Sequence, residues 1–259
     1  MPALKTPPQG VQLPHAPLTE YYANESERAD FVRGLFDHTA QDYDRIEWLL
    51  GFGAGPWYRG DALQRAGLRA GMRVIDVGTG TGLVAREAVR LTGDPHCVVG
   101  VDPSPGMMAQ AKLPEGVRLL EGRAEALPLP DASFDFLSMG YALRHLGDLS
   151  AAFAEFHRVL KPGAKLCLLE ISRPESALAR GLLKAYMKGV VPTVARVMGR
   201  EPQQTARLWR YYWDTIEACV PPSQVMATLQ AAGFEQVERE VAGKGLSFLS
   251  EFRAIKPAS

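Results

Sequence analysis

The stretch VIDVGTGTGLVAREAV, residues 74–89, carries an apolar run into three alternating glycines and then into a helical pattern marked by Ala85, Ala88 and Val89. A strand, a glycine-rich bend and a helix in that order commit this part of the chain to a β–α unit whose turn lies at the carboxyl edge of a sheet. Backbone without Cβ atoms can approach a ligand closely there. The neighbouring sequence repeats the alternation: strand 73–77, helix 83–91, strand 97–101, a helix from about Gly106, strands 117–121 and 134–139, helix 149–160 and strand 165–171. Elements of these lengths predict an α/β fold, a mostly parallel sheet with helices on both faces.

The flanks read differently. Residues 1–17 hold five prolines (Pro2, Pro7, Pro8, Pro14 and Pro17) and few large apolar side chains, so a disordered leader is expected. Helical spacing of Phe31, Leu35 and Phe36 begins near residue 27 and runs to 50, giving a helical cap over 18–68 ahead of the main domain, 69–259. After Ser172 a long helical insertion, about 176–220, predicts a lid; a helix over 223–232 and strands 235–241 and 247–254 close the chain. With 259 residues, 46% of them hydrophobic, the core suffices for one such domain and little beside the lid.

Lys plus Arg and Asp plus Glu balance at 29 each, so no net field draws the chain toward nucleic acid. Cys97, Cys167 and Cys219 lack CxxC spacing and suggest neither a disulfide framework nor a metal site, which points to a reducing cytoplasm. No apolar stretch approaches the roughly 20 residues of a membrane span, and an apolar signal core is not found at the N-terminus.

The loop itself discriminates between ligands. A dinucleotide fingerprint, G-x-G-x-x-G/A, counted from Gly78 and Gly80 meets Leu83 at its third position, and a phosphate-binding loop would need a lysine that is not there. Asp76, two residues before Gly78, would repel a pyrophosphate but suits a ligand carrying an ammonium and a sulfonium, which is S-adenosyl-L-methionine. The alternative is a structural loop with Asp76 capping the helix. Asp102, 20 residues beyond Gly82 at the end of the second strand, is placed to accept hydrogen bonds from both ribose hydroxyls.

Asp76, Gly78, Gly80 and Gly82 match D/E-x-G-x-G-x-G, and with them the sequence resembles the class I S-adenosylmethionine-dependent methyltransferases. The resemblance implies a Rossmann-like seven-stranded sheet with an N-terminal helical extension and a helical lid after strand 5. It implies a cofactor site that also takes in Thr79, Pro103 and Met139. EGRAEALPLPDASFDFLSM is similar to the adenine-side loop of that fold. Arg123 stands where Asp or Asn usually meets the adenine amino group, the Ala124 amide is left to serve adenine N1, and Met107 either covers the adenine face or packs as an ordinary methionine.

Residues 36–60, 141–172 and 207–238 look more narrowly like the ubiquinone/menaquinone biosynthesis C-methyltransferase family, and the similarity spans about 18–257. The family's G-L-R-N reads Ala142, Leu143, Arg144, His145; its Y-D-x-M-N keeps Tyr43 and Asp44 but has Ile46 and Glu47; and its R-Y-L-x-E-S-I with the following helix is similar to the segment from Arg207 to Glu238. The resemblance implies methyl transfer to a carbon of a quinol precursor. Arg144 then either stabilises a developing phenolate or positions a water, against an ion pair with Asp148 or another carboxylate. His145 is either a base or a hydrogen-bonding replacement for Asn, Tyr43 either orients the aromatic acceptor or packs, and His38 reads as a cap or surface residue. Trp209, Tyr211, Tyr212 and Trp213 cannot all face one way on a helix, so they divide between the substrate cavity and packing.

In the lid, Leu178, Leu182, Leu183, Tyr186 and Val190 recur at helical spacing opposite Arg180, Lys184 and Lys188. Either the stripe packs inward beneath a solvated charged face, or residues 176–191 rest on anionic lipid and admit a polyprenylated substrate. The partner expected is a small aromatic or lipid-like molecule and not nucleic acid, since the fourth strand ends in SMGY and not in an N-P-P-Y type motif. A homodimer stays open. Two rivals stand beside carbon methylation: N- or O-methylation of another small molecule or a phospholipid headgroup, and a non-catalytic protein that binds S-adenosylmethionine.

Overall fold

A computed structural model describes residues 11–50, 53–198, 200–242 and 248–258. The first apolar run forms β1 (Val74–Val77) and the second β2 (Val98–Asp102), every residue of both being buried. Strands apolar on both faces must be covered on both, which places them in the middle of a sheet. The other strands are β3 (Arg118–Glu121), β4 (Phe134–Gly140), β5 (Leu160–Ile171), β6 (Glu235–Ala242) and β7 (Leu249–Ile255). Together they make a seven-stranded sheet of order β3-β2-β1-β4-β5-β7-β6. The pairs among β1 to β5 are parallel, whereas β7 runs antiparallel to both β5 and β6. The edge strand β6 carries Glu235, Glu238, Arg239 and Glu240, charges that blunt an otherwise open ladder.

The helices that position the crevice are set by local signals. α3 (Leu83–Thr92) starts after Gly82 at φ +83° and stops at Gly93 at φ +79°, burying Val84, Ala85 and Ala88. α4 (Pro105–Ala109) is capped by Ser104, which accepts from the Met107 amide, and α5 (Leu149–Val159) by Asp148, which accepts from Ser150. Because the chain moves outward from β1 toward β3 and then returns to β4, a crevice opens at the carboxyl ends of β1 and β4.

A second core lies apart from the sheet. α1 (Glu25–Leu50), the lid helices α6 (Ala177–Ala185) and α7 (Val191–Met198) with a π turn over Tyr186–Val190 between them, and α8 (Pro202–Ala218) bury Leu35, Ile46, Met187, Val191, Trp209 and Trp213 together. α2 (Gly55–Arg65) packs on α3, and α9 (Pro222–Ala231) precedes β6. N-terminal cap and lid thus share one aromatic core.

Two expectations change. The disorder predicted for 1–17 does not reach residues 11–17. Gln12 donates to Asp148 and its carbonyl accepts from Leu149; the Pro14 carbonyl accepts from Val220; His15 is buried beside Arg28. Proline-rich chain cannot build a sheet, yet it satisfies the backbone groups left open where α5 begins and α8 ends. Residues 1–10 lie outside the described residues, as does the Ser247 start predicted for the last strand. In the lid, Leu183 packs inward, but Leu178, Leu182 and Val190 are exposed. The expected stripe therefore divides: Leu183 and Tyr186 join the aromatic core while Leu178, Leu182 and Val190 stay outside, and the still exposed Lys188 and Lys184 lie 2.8 Å and 3.9 Å from Asp214 and Glu217 of α8.

Candidate active site

A cavity of about 500 Å³ fills the crevice, a size in the range of small-molecule sites. The glycine loop contributes Gly78, Thr79 and Gly80; Asp102, Pro103, Met107, Arg123 and Ala124 line one side; Met139 and Tyr141 come from the end of β4; and Phe36, Tyr43, His145 and Tyr212 gather as an aromatic end. Among the described residues no group of three or more His, Cys, Asp or Glu side chains is placed to hold a metal, and no helix is long and apolar enough to cross a membrane.

The loop needs its glycines for two separate reasons. Gly78 has φ +67°, and a Cβ there would sit 2.6 Å from the Ala142 methyl. Gly82 is turned away from the cavity wall: a Cβ would meet Leu113 at 2.8 Å, so its part is to start α3. Asp76 also departs from its expected place. Buried beneath the loop, it does not line the cavity; Ser138 donates to one oxygen at 2.7 Å and Thr79 to the other at 2.8 Å. Burial pushes its carboxyl up to about 6 against those hydrogen bonds. Asp76 fixes the loop's shape from beneath.

Asp102 does face the cavity. Its oxygens accept from the Gly80 amide and the Ser104 amide, both at 2.8 Å, which ties the ends of β1 and β2 together and leaves a lone pair on each oxygen. Burial raises this carboxyl to about 6 as well, opposed by the two amides. Sequence reasoning missed two further acids on α1. Asp37 accepts from the Ser104 hydroxyl at 2.6 Å and the Gly106 amide at 2.8 Å, and Asp44 accepts from the Thr81 hydroxyl. Spaced seven apart on one helical face, they were the available sign that α1 closes over the cavity. Arg123 is exposed at the mouth, 3.5 Å from Glu125, while Met107 and Met139 are buried in the wall. His38 is an exposed residue bonded to the Gly34 carbonyl.

At the aromatic end the Tyr43 and Tyr212 hydroxyls lie 2.8 Å apart, and Tyr43 stacks on Trp209. His145 stacks on Tyr211 and meets Phe36 and Tyr212 obliquely; neither ring nitrogen has a partner. Burial, then the charges of Arg144 and Arg28, hold this imidazole well below 6.5, so it is neutral at pH 7. Arg144, expected at the reacting centre, is not on the cavity wall. It is fully buried and ion-paired with Glu170, its Nε donates to Thr215 at 3.3 Å, and its guanidinium lies 4.9 Å from the centre of the Tyr212 ring. Tyr212 comes between Arg144 and the cavity. Tyr141, also not foreseen, lines the cavity at φ +60°, a conformation costly for a non-glycine residue and held here by the hydrogen bond its N–H donates to the Leu169 carbonyl at 2.7 Å.

A family model for the ubiE/COQ5 methyltransferase family matches residues 22–252. The chain belongs to that family. It is 32% identical over 225 residues to the ubiquinone/menaquinone biosynthesis C-methyltransferase UbiE of Shewanella halifaxensis, covering 84% of this chain and 88% of the relative. A similar match to UbiE of Shewanella sediminis is 32% identical over 219 residues, 82% of this chain and 86% of the relative. Among solved structures, a SAM-dependent methyltransferase from Thermotoga maritima aligns with TM-score 0.59 and 25% identity over 86% of this chain and 99% of its own. The fold is shared with a Haemonchus contortus phosphoethanolamine N-methyltransferase in complex with phosphomonomethylethanolamine and S-adenosylhomocysteine, at TM-score 0.62 and 19% identity over 90% of this chain and 59% of that one. This family member is an S-adenosylmethionine-dependent methyltransferase acting on a small molecule. Its cavity fits that cofactor: a buried carboxylate at the end of β2 with lone pairs to spare, a loop whose glycines bring backbone to the wall, and the apolar side chains of Met107 and Met139 in the lining.

Proposed function

We propose that the enzyme methylates a ring carbon of a quinol of the ubiquinone/menaquinone type. The observation that carries this reading is the aromatic end of the cavity, where Phe36, Tyr43, His145 and Tyr212 gather four rings, two phenol hydroxyls and one imidazole around one small volume. The cofactor, when bound, supplies an electrophilic methyl group. The chain's own task is to align a planar acceptor and exclude water, which can provide roughly 7–11 kcal/mol of the barrier.

Two phenols 2.8 Å apart share one proton, so one hydroxyl hydrogen stays free to bond a ring oxygen of the acceptor. Neutral His145 supplies the complementary lone pair, accepting from an acceptor hydroxyl as negative charge moves into the ring. Arg144 acts from behind, its charge over the Tyr212 ring favouring the state in which that phenol bonds an oxyanion. Asp102 holds the ribose, and Gly78, Thr79, Gly80, Pro103, Met107, Ala124 and Met139 form the cofactor wall. The outward stripe of Leu178, Leu182 and Val190, joined by exposed Val197, supports a lid that touches lipid peripherally and takes a polyprenylated acceptor.

The test incubates the protein with methyl-labelled S-adenosylmethionine and reduced cell extract divided into lipid and aqueous fractions. The expected result is acid-stable label in a quinone-like lipid. Label in an aqueous metabolite or a phospholipid headgroup would overturn carbon methylation.

A further inference from the structure

Among the described residues three arginines reach the cavity wall: Arg33, Arg123 and Arg59. Arg33 and Arg123 are exposed at the mouth and are matched by Asp30 at 3.2 Å and Glu125 at 3.5 Å. Arg59 of α2 differs, with only 2% of its side chain exposed. Its Nη2 is ion-paired with Glu47, while Nε and Nη1 have no partner. Nε carries one hydrogen and Nη1 two, so a buried cation that borders the cavity keeps N–H donors unspent just beneath its surface. Buried donors of a charged group are costly to leave unmatched, and such a group at a cavity wall awaits an acceptor from the ligand.

Its position narrows what that acceptor is. Glu47 lies one helical turn beyond Asp44, which holds Thr81 of the glycine loop. The Arg59 guanidinium also stands 5.7 Å from the centre of the Tyr141 ring, and Tyr141 adjoins Ala142, whose methyl abuts Gly78. Arg59 is therefore held beside the loop that carries the cofactor. S-adenosylmethionine has one anionic group, the carboxylate of its amino-acid tail; its ammonium and sulfonium are positive. Asp76, an anion that would repel this carboxylate, is in any case spent on Ser138 and Thr79 below the wall. We propose that Arg59 is the anchor for the carboxylate of the cofactor's amino-acid tail, oriented for that task by Glu47.

The proposal rests on the cavity being the cofactor site, and the experiment separates the two. Isothermal titration calorimetry would compare S-adenosylhomocysteine with its decarboxylated counterpart, S-adenosyl-3-thiopropylamine, on the wild type, on Arg59→Gln, and on Glu47→Gln with Arg59→Gln. The double variant removes the pair together, so no lone buried carboxylate compromises folding. The wild type is expected to prefer the carboxylated ligand by on the order of 10–100-fold, the worth of a charge-assisted hydrogen bond. In the double variant the preference should fall to within about threefold, through weaker binding of S-adenosylhomocysteine alone, with the decarboxylated ligand retained as proof of a folded site. A preference that survives in the double variant, or is absent from the wild type, would overturn the proposal. Failure of both ligands to bind the wild type would instead overturn the cofactor reading of the cavity.

Discussion

Replacing Arg144 with methionine tests the correction the fold makes to that residue. Arg144 is fully buried and Glu170 nearly so, and the two are ion-paired away from bulk solvent. Truncating the cation leaves Glu170 as an uncompensated buried carboxylate, a loss of about 3–5 kcal/mol. For a chain of this size each kcal/mol lowers the melting temperature by roughly 2–4 °C, so Arg144→Met should melt roughly 6–20 °C below wild type. Removing both charges, Arg144→Met with Glu170→Met, should recover most of that. The remaining deficit of about 1 kcal/mol comes from the Ile171 amide, which now donates to Glu170 at 2.7 Å. Thermal and urea melts of the three proteins measure these differences, and S-adenosylhomocysteine affinity in the double variant should match wild type. Turnover of the double variant should fall on the order of tenfold, since the cation over Tyr212 is worth about 1–2 kcal/mol. A single variant that melts within about 3 °C of wild type while turnover collapses would refute the reasoning, because Arg144 would then be serving the reacting groups directly.

Other perturbations bear on the remaining geometry. His145 has its folded pKa depressed below 6.5, and burial with the Arg28 charge lowers His15 to about 4. Below pH 6.5 the unfolded chain takes up protons that the native state refuses, so stability falls as the pH drops from 7 toward 4; His145→Asn should lessen that fall in melts taken at successive pH values. Over pH 6–8 kcat should show no step from His145, and an inflection near 6.5 that disappears in His145→Asn would show the imidazole titrating in the reaction. Gly78→Ala should destabilise by about 1–2 kcal/mol through its positive φ and weaken S-adenosylhomocysteine binding. Adding Ala142→Gly removes the 2.6 Å encounter and should restore part, not all, of that affinity by calorimetry; full restoration would mean that the backbone angle costs nothing.

Much of the fold is written locally. The continuous apolar runs at 74–77 and 98–101 demand cover on both faces, and the glycines at 78, 80 and 82 permit φ values that other residues resist, so a β–α unit with an open turn follows from short-range sterics alone. Asp102 was legible for the same reason, since its distance from the loop is one helix and one strand. Local pattern also delimits the lid but cannot orient it: the aromatic core built by α1 and α8 takes Leu183 and Met187 and leaves Leu178, Leu182 and Val190 exposed. Nor could it tell that residues 11–17 would be tied to α5 and α8, or that Asp76 would be spent on Ser138. The aromatic end shows the division most clearly. The sequence by itself determined that Arg144 and His145 leave β4 together near the cofactor. Only the tertiary structure decided that Tyr212, arriving from α8, would seal the arginine behind its ring and leave the histidine in the cavity, because adjacent side chains diverge and their environment is set by whatever remote surface packs against each.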